Sequence, residues 1–185
     1  MPNLQLTTMT IGGGEAELDK LTGCIVATEV YLERVEKRNA TLPEDFRIVA
    51  GRLGEIDFNI LIPRPEYIFG GILTAETEKQ YGKNNWLDWS TENWGTKWNA
   101  LDADFCRKNE NLIELSFFTA WDAPLPWIEA LAAKAMEIGV RYMRGTASID
   151  YPIEYYEFKL NTRYRRMQYR LKTDYEIVND LMQNK

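Results

Sequence analysis

The sequence predicts an α+β fold, and three observations carry that expectation. A strand runs into a glycine turn and a helix at the N-terminus, and a strand-helix-strand unit spans residues 112–149. The chain also has 185 residues, 45% of them apolar and 12% aromatic. That is enough to bury a core in one domain without disulfides.

In chain order, residues 4–11 are rich in Leu, Thr and Ile and end in Gly12-Gly13-Gly14, which reads as a strand entering a turn. Residues 15–21 form a short helix with Leu18 and Leu21 on one face. Glu15 and Glu17 lie near the positive end of its dipole, and Gly23 stops it. Residues 24–84 read as an insertion, with a helix over 30–38 carrying Val30, Leu32 and Val35. Short strands are expected over 46–50 and 56–62, the second ended by Pro63-Arg64-Pro65.

A helix is expected over 85–93 with Trp86 and Trp89 on one face, stopped at Trp94-Gly95, and Lys97-Trp98-Asn99 enters an extended segment. Residues 112–120 read as a strand, and Trp121 to Pro126 break it. Ile128, Leu131, Ala132, Ala135 and Met136 then fall at the spacing of an apolar helical stripe, with Pro126 at its start and Gly139 at its end. Strands over 140–149 and 153–160 follow. Residues 1–160 read as one domain, and 161–185 as a basic and then helical C-terminal extension, the helix over 174–181.

Charge and composition exclude several classes. A net charge of −6 disfavours wholesale binding to nucleic acid or anionic membrane, which need a cationic surface. Histidine is absent, which removes Ser-His-Asp and Cys-His nucleophiles and His-ligated metal. Cys24 and Cys106 stand far apart and read as free thiols of a reducing compartment. No signal peptide or membrane span is expected, so the expected location is cytoplasmic. The Gly12 to Gly14 run lacks the Gly-Lys-Ser/Thr ending of a phosphate loop. The acid pairs Asp102/Asp104 and Glu154/Glu157 read as surface. No cofactor, metal or catalytic residue is expected.

Trp86, Trp89, Trp94 and Trp98 are four of the six tryptophans. Part of that set is expected in the core and part at a groove, since indole is the largest apolar side chain yet carries one N–H that needs a partner. The candidate binding residues are Trp94, Lys97, Trp98 and Asn99, joined by Trp121 and Asp122 from the end of the 112–120 strand, as a stacking or cation-π platform with polar directors. A basic patch of Arg163, Arg165, Arg166, Arg170 and Lys172, interleaved with Tyr164 and Tyr169, is the alternative candidate.

The runs Asn93-Trp-Gly-Thr-Lys-Trp-Asn-Ala100 and Leu115-Ser-Phe-Phe-Thr-Ala-Trp-Asp-Ala-Pro124, with Met1-Pro-Asn3 and the apolar run Phe58 to Pro65, resemble the YubB ferredoxin-like domain family of phage- and plasmid-encoded proteins. The resemblance covers residues 1–23, 58–65 and 85–160. It implies a split β-α-β sandwich with strands near 4–11, 96–101, 112–120 and 140–149 and helices near 15–22 and 126–138, interrupted by a large insertion after the first helix. The Leu4-Gln5-Leu6-Thr7 run departs from the family's first strand. The family supplies no catalytic residue to carry over, and its function is not established.

These readings together point to a mobile-element binding or interaction module without catalytic activity, with a protein partner such as a host factor. The alternative is a single-stranded nucleic-acid-binding protein that uses exposed aromatics and the 163–172 basic patch. An enzyme built on Lys97, Asp122 and a tyrosine in a tryptophan-lined pocket is the third class.

Overall fold

A computed structural model of the chain describes residues 3–149, 154–161 and 166–172. The expected helix over 174–181 and the residues Arg163, Tyr164 and Arg165 lie outside the described residues. Six strands form one antiparallel sheet: β1 (Leu4–Gly12), β2 (Leu101–Asn109), β3 (Leu112–Ala120), β4 (Tyr142–Ile149), β5 (Glu154–Asn161) and β6 (Arg166–Leu171), in the order β2-β3-β1-β4-β5-β6. The helices are α1 (Glu15–Thr22), α2 (Glu29–Asn39), α3 (Phe58–Leu61), α4 (Ala75–Tyr81), α5 (Trp86–Asn93) and α6 (Leu125–Ile138). None among the described residues is long and apolar enough to cross a membrane.

Period-two alternation decides which face of the sheet is covered. Met9 and Ile11 of β1 pair with Leu115 and Ile113 of β3, and all four are buried. They join Leu18 and Leu21 of α1 and Trp127, Ile128, Leu131 and Ala135 of α6 in the main core. Phe58 from the insertion enters this layer, 4.5 Å from Trp127 and 5.4 Å from Phe117 between ring centroids. Arg107 of β2 ties the sheet to α1 through Asp19 at 3.1 Å. The intervening strand residues turn to the opposite face and line an open trough of about 1110 Å³, among them Thr8, Thr10, Glu114, Ser116, Arg144 and Lys159.

Three local expectations are corrected. Residues 46–50 form no strand: a 3-10 turn at Glu44–Phe46 ends there, and the Asn39 side chain takes both ladder positions of Ile48, accepting from its N–H and donating to its carbonyl, each at 2.8 Å. Residues 56–62 contribute a single bridge, Val26 to Ile56, before one helical turn begins. Asp57 starts that turn by accepting from the Asn59 N–H at 2.8 Å, a local bond that competes with a strand ladder. The strand placed near 96–101 instead spans Leu101–Asn109, because residues 95–99 are held in a turn by bonds described below. Within the basic run, β6 pairs with β5 from Tyr156↔Leu171 to Asn161↔Arg166.

Candidate functional site

The candidate site forms where the segment after α5 meets the segment after β3. Asn85 caps α5 by accepting from the Leu87 and Asp88 N–H groups, both at 3.0 Å. The helix ends at Trp94, and Gly95 turns the chain at φ +83°, as a helix stop of this kind requires. Thr96, buried, donates its hydroxyl to the Ala120 carbonyl at 2.8 Å, and the Ser90 hydroxyl donates to the Lys97 carbonyl at 2.8 Å. These bonds hold the backbone at Lys97 against the end of β3.

On the other side of the site, Trp121 has φ +78°, a conformation that bulky L-residues rarely adopt. Its N–H donates to the Asn3 carbonyl at 2.9 Å, and the Thr119 hydroxyl closes the turn onto the Asp122 carbonyl at 2.8 Å. The strained turn directs the Trp121 indole toward Lys97. The Lys97 Nζ lies 4.5 Å from the Trp121 ring centroid, 5.1 Å from that of Trp98 and 5.9 Å from that of Trp86. All three distances fall within cation-π reach. Trp98 and Trp121 are 36% and 39% exposed, so both indoles border solvent around one ammonium. Among the described residues Lys97 has no carboxylate partner.

The sequence-predicted residues therefore separate. Lys97, Trp98 and Trp121 come together, and Asp122 adjoins them through its backbone. Trp94 is buried instead, its Nε1–H donating to the Ile62 carbonyl at 3.0 Å and its ring edge-on to Trp89 at 5.2 Å and to Phe58 at 5.8 Å. Trp86 was not among the candidates. Its Nε1–H donates to the Gly71 carbonyl at 3.1 Å, which anchors the ring beside Lys97. An indole three residues before Trp89 and eleven before Lys97 carries no sequence signal that separates it from the core.

Asn99 turns inward, donating to the buried Asp57 carboxylate at 2.7 Å and accepting from the Phe58 N–H at 2.8 Å. Asp57 also accepts from the Tyr31 hydroxyl at 2.9 Å, the Gly51 N–H at 2.8 Å, and the Asn59 N–H and side-chain amide at 2.8 and 3.1 Å. Five donors from four segments thus converge on one carboxylate that also supports the site from below. No sequence signal singles out this acid, because Tyr31 and Asn99, which complete its shell, lie 26 and 42 residues away.

Burial first, and then the Asp57 charge, push the Tyr31 phenol well above its ordinary range. Burial and then Glu129 on α6 do the same to Tyr169. A phenol with a raised folded-state pKa contributes stability that is full below its unfolded pKa of about 10 and is lost as pH rises through the folded value. Stability is therefore expected to decline from about pH 10 upward. Tyr31→Phe should show a flatter alkaline limb in urea midpoints measured at pH 8 to 11.5. An unchanged slope in that variant would remove Tyr31 as a cause.

No family model and no curated protein matches the sequence. One solved structure is similar in fold. It is the crystal structure of protein api92 from Yersinia pseudotuberculosis, of the family model DUF1281, matched with a TM-score of 0.51 and 11% identity over 94% of this chain and 99% of that one. The likeness concerns the fold alone.

Of the basic patch, Arg166 and Arg170 line the open trough on β6. Arg170 is paired with Glu157 at 2.8 Å, and Lys172 lies 4.0 Å from the same carboxylate. Phe158 and Tyr169 belong to the helix-side core, 6.4 Å apart between centroids, so these two aromatics of β5 and β6 pack inward.

Proposed function

We propose that the protein is a non-catalytic binding module that docks a partner protein on the surface formed by Trp98, Lys97 and Trp121. The observation that carries this reading is the Lys97 ammonium on three indoles, two of them more than a third exposed. Tryptophan dominates the small set of residues that supply most binding energy at protein interfaces. Backbone strain of the Trp121 kind persists where the surroundings over-determine it, and it clusters at functional sites. A chain charge of −6 favours a neutral or basic partner surface, and a host factor is the partner class that fits a mobile-element protein.

The strand order β2-β3-β1-β4 with α1 and α6 as crossovers supports a ferredoxin-like split β-α-β reading of the first four strands, with β5 and β6 added at one edge. The two runs that carry the YubB resemblance meet at Lys97 and Trp121. That meeting supports treating this surface as the working face.

The test is capture by immobilised protein, wild type against the double variant Trp98→Ala/Trp121→Ala, with Val49→Ala at a distant exposed position as control. Partner retention should fall by about tenfold or more in the double variant and stay unchanged in the control. Equal retention by all three proteins would sink the reading.

Single-stranded nucleic-acid binding is the second reading, and the presence of Arg166 and Arg170 in the trough favours it. Calorimetric titration with a short oligonucleotide at low and moderate salt distinguishes the two. Salt-dependent binding that weakens in Arg166→Ala/Arg170→Ala supports the nucleic acid, and no binding at either salt removes this second reading.

A further inference from the structure

The open face of the sheet runs against the sign of the chain. Five cationic side chains line the trough against three carboxylates, although the whole sequence carries −6. Two of those carboxylates are already engaged, Glu114 by Lys108 at 3.2 Å and Glu157 by Arg170 at 2.8 Å. Arg144 and Lys159 stand directly opposite one another on β4 and β5. Like charges so placed oppose strand pairing. Neither side chain has a hydrogen-bond or ion-pair partner among the described residues.

The register continues the row on both sides. Thr10 of β1 pairs with Arg144, and Gln168 of β6 pairs with Lys159, so four strands place a hydroxyl, a guanidinium, an ammonium and an amide in one line. All four residues line the trough. The fold holds two cations in register at a cost to the sheet and flanks them with neutral donors. An oxyanion seated between the two cations removes that cost, because it converts the repulsion into two charge-assisted hydrogen bonds.

We infer that the row Thr10, Arg144, Lys159 and Gln168 is a binding site for a tetrahedral oxyanion, a phosphate group carried by a small molecule or by a nucleic-acid backbone. The site lies on the sheet face and shares no residue with the Lys97 cluster, so each can fail without the other.

The experiment titrates inorganic phosphate into the intact protein, with chloride at matched ionic strength as reference, reading affinity by calorimetry and midpoint by thermal unfolding. The wild type should bind phosphate and rise in midpoint where chloride gives no rise. Arg144→Gln/Lys159→Gln should lose about tenfold or more in affinity, while its anion-free midpoint equals or exceeds that of the wild type because the repulsion is gone. Should the double variant fail to fold, Lys159→Gln alone, at an exposed position, carries the same prediction.

A thymidine oligonucleotide tested in parallel identifies the source. Tighter, salt-dependent binding that the variants lose assigns the site to a nucleic-acid phosphate, and a response to phosphate alone assigns it to a small phosphorylated molecule. A wild type that answers neither probe, or variants that answer both as the wild type does, would overturn the inference.

Discussion

Asp57→Ala is expected to destabilise the fold by about 4 kcal/mol or more, because each buried donor left without an acceptor costs about 1–3 kcal/mol. The substitution strands the Tyr31 hydroxyl, the Gly51 N–H, both donors of Asn59 and the amide of Asn99 at once. Asp57 is fully buried, so water does not replace the lost oxygens without opening the insertion. Asp57→Asn keeps one acceptor oxygen and sets an amide against the Gly51 N–H, so an intermediate loss is expected. Urea denaturation of the three proteins measures both values. A loss within about 1 kcal/mol for Asp57→Ala would show that the five bonds contribute little beyond what water supplies. The same variant should weaken partner capture, since Asn99 follows Trp98 directly and loses its anchor.

Gly95→Ala is the second large effect, expected at about 2–5 kcal/mol from two separable causes. A non-glycine residue at φ +83° is strained in itself, by about 1–2 kcal/mol. A Cβ at this position would also lie 2.5 Å from Pro126 Cδ, 3.2 Å from the Leu125 nitrogen and 3.3 Å from the Ala123 oxygen, two of them backbone atoms. The chain must then move away from the start of α6, and Lys97 moves relative to Trp121. Gly54 isolates the first cause, since it has the same φ of +83° and a Cβ there would meet nothing within 4 Å. The difference in unfolding free energy between Gly95→Ala and Gly54→Ala therefore reads the crowding directly. Equal values would show that Gly95 is needed for its φ alone. Partner capture by Gly95→Ala under native conditions separates a displaced site from a merely less stable one.

Several elements were legible because their signals are local. The strand-forming composition of β1 and β3 and the apolar stripe of α6 at 3.6-residue spacing are local properties of the chain. The stop at Gly95 follows from the conformational freedom of glycine. The insertion was least legible. Strand-like composition over 46–50 and 56–62 lost to side-chain acceptors at Asn39 and Asp57 that capture backbone groups locally. In the candidate site, Lys97, Trp98 and Trp121 were legible as residue types suited to a platform, whereas Trp94 and Asn99 were indistinguishable from them by type.

The amino-acid sequence by itself determined the α+β class, most element positions and the absence of imidazole chemistry, since composition, periodicity and capping act over a few neighbouring residues. Only the tertiary structure decided which tryptophans are buried, that Trp86 joins Trp98 and Trp121 around Lys97, that five donors meet at Asp57, and that Arg144 faces Lys159 across two strands. Each of these depends on strand register or on packing between segments far apart in the chain. A shift of one residue in the β4–β5 register, which leaves the sequence unchanged, would turn Lys159 to the face opposite Arg144.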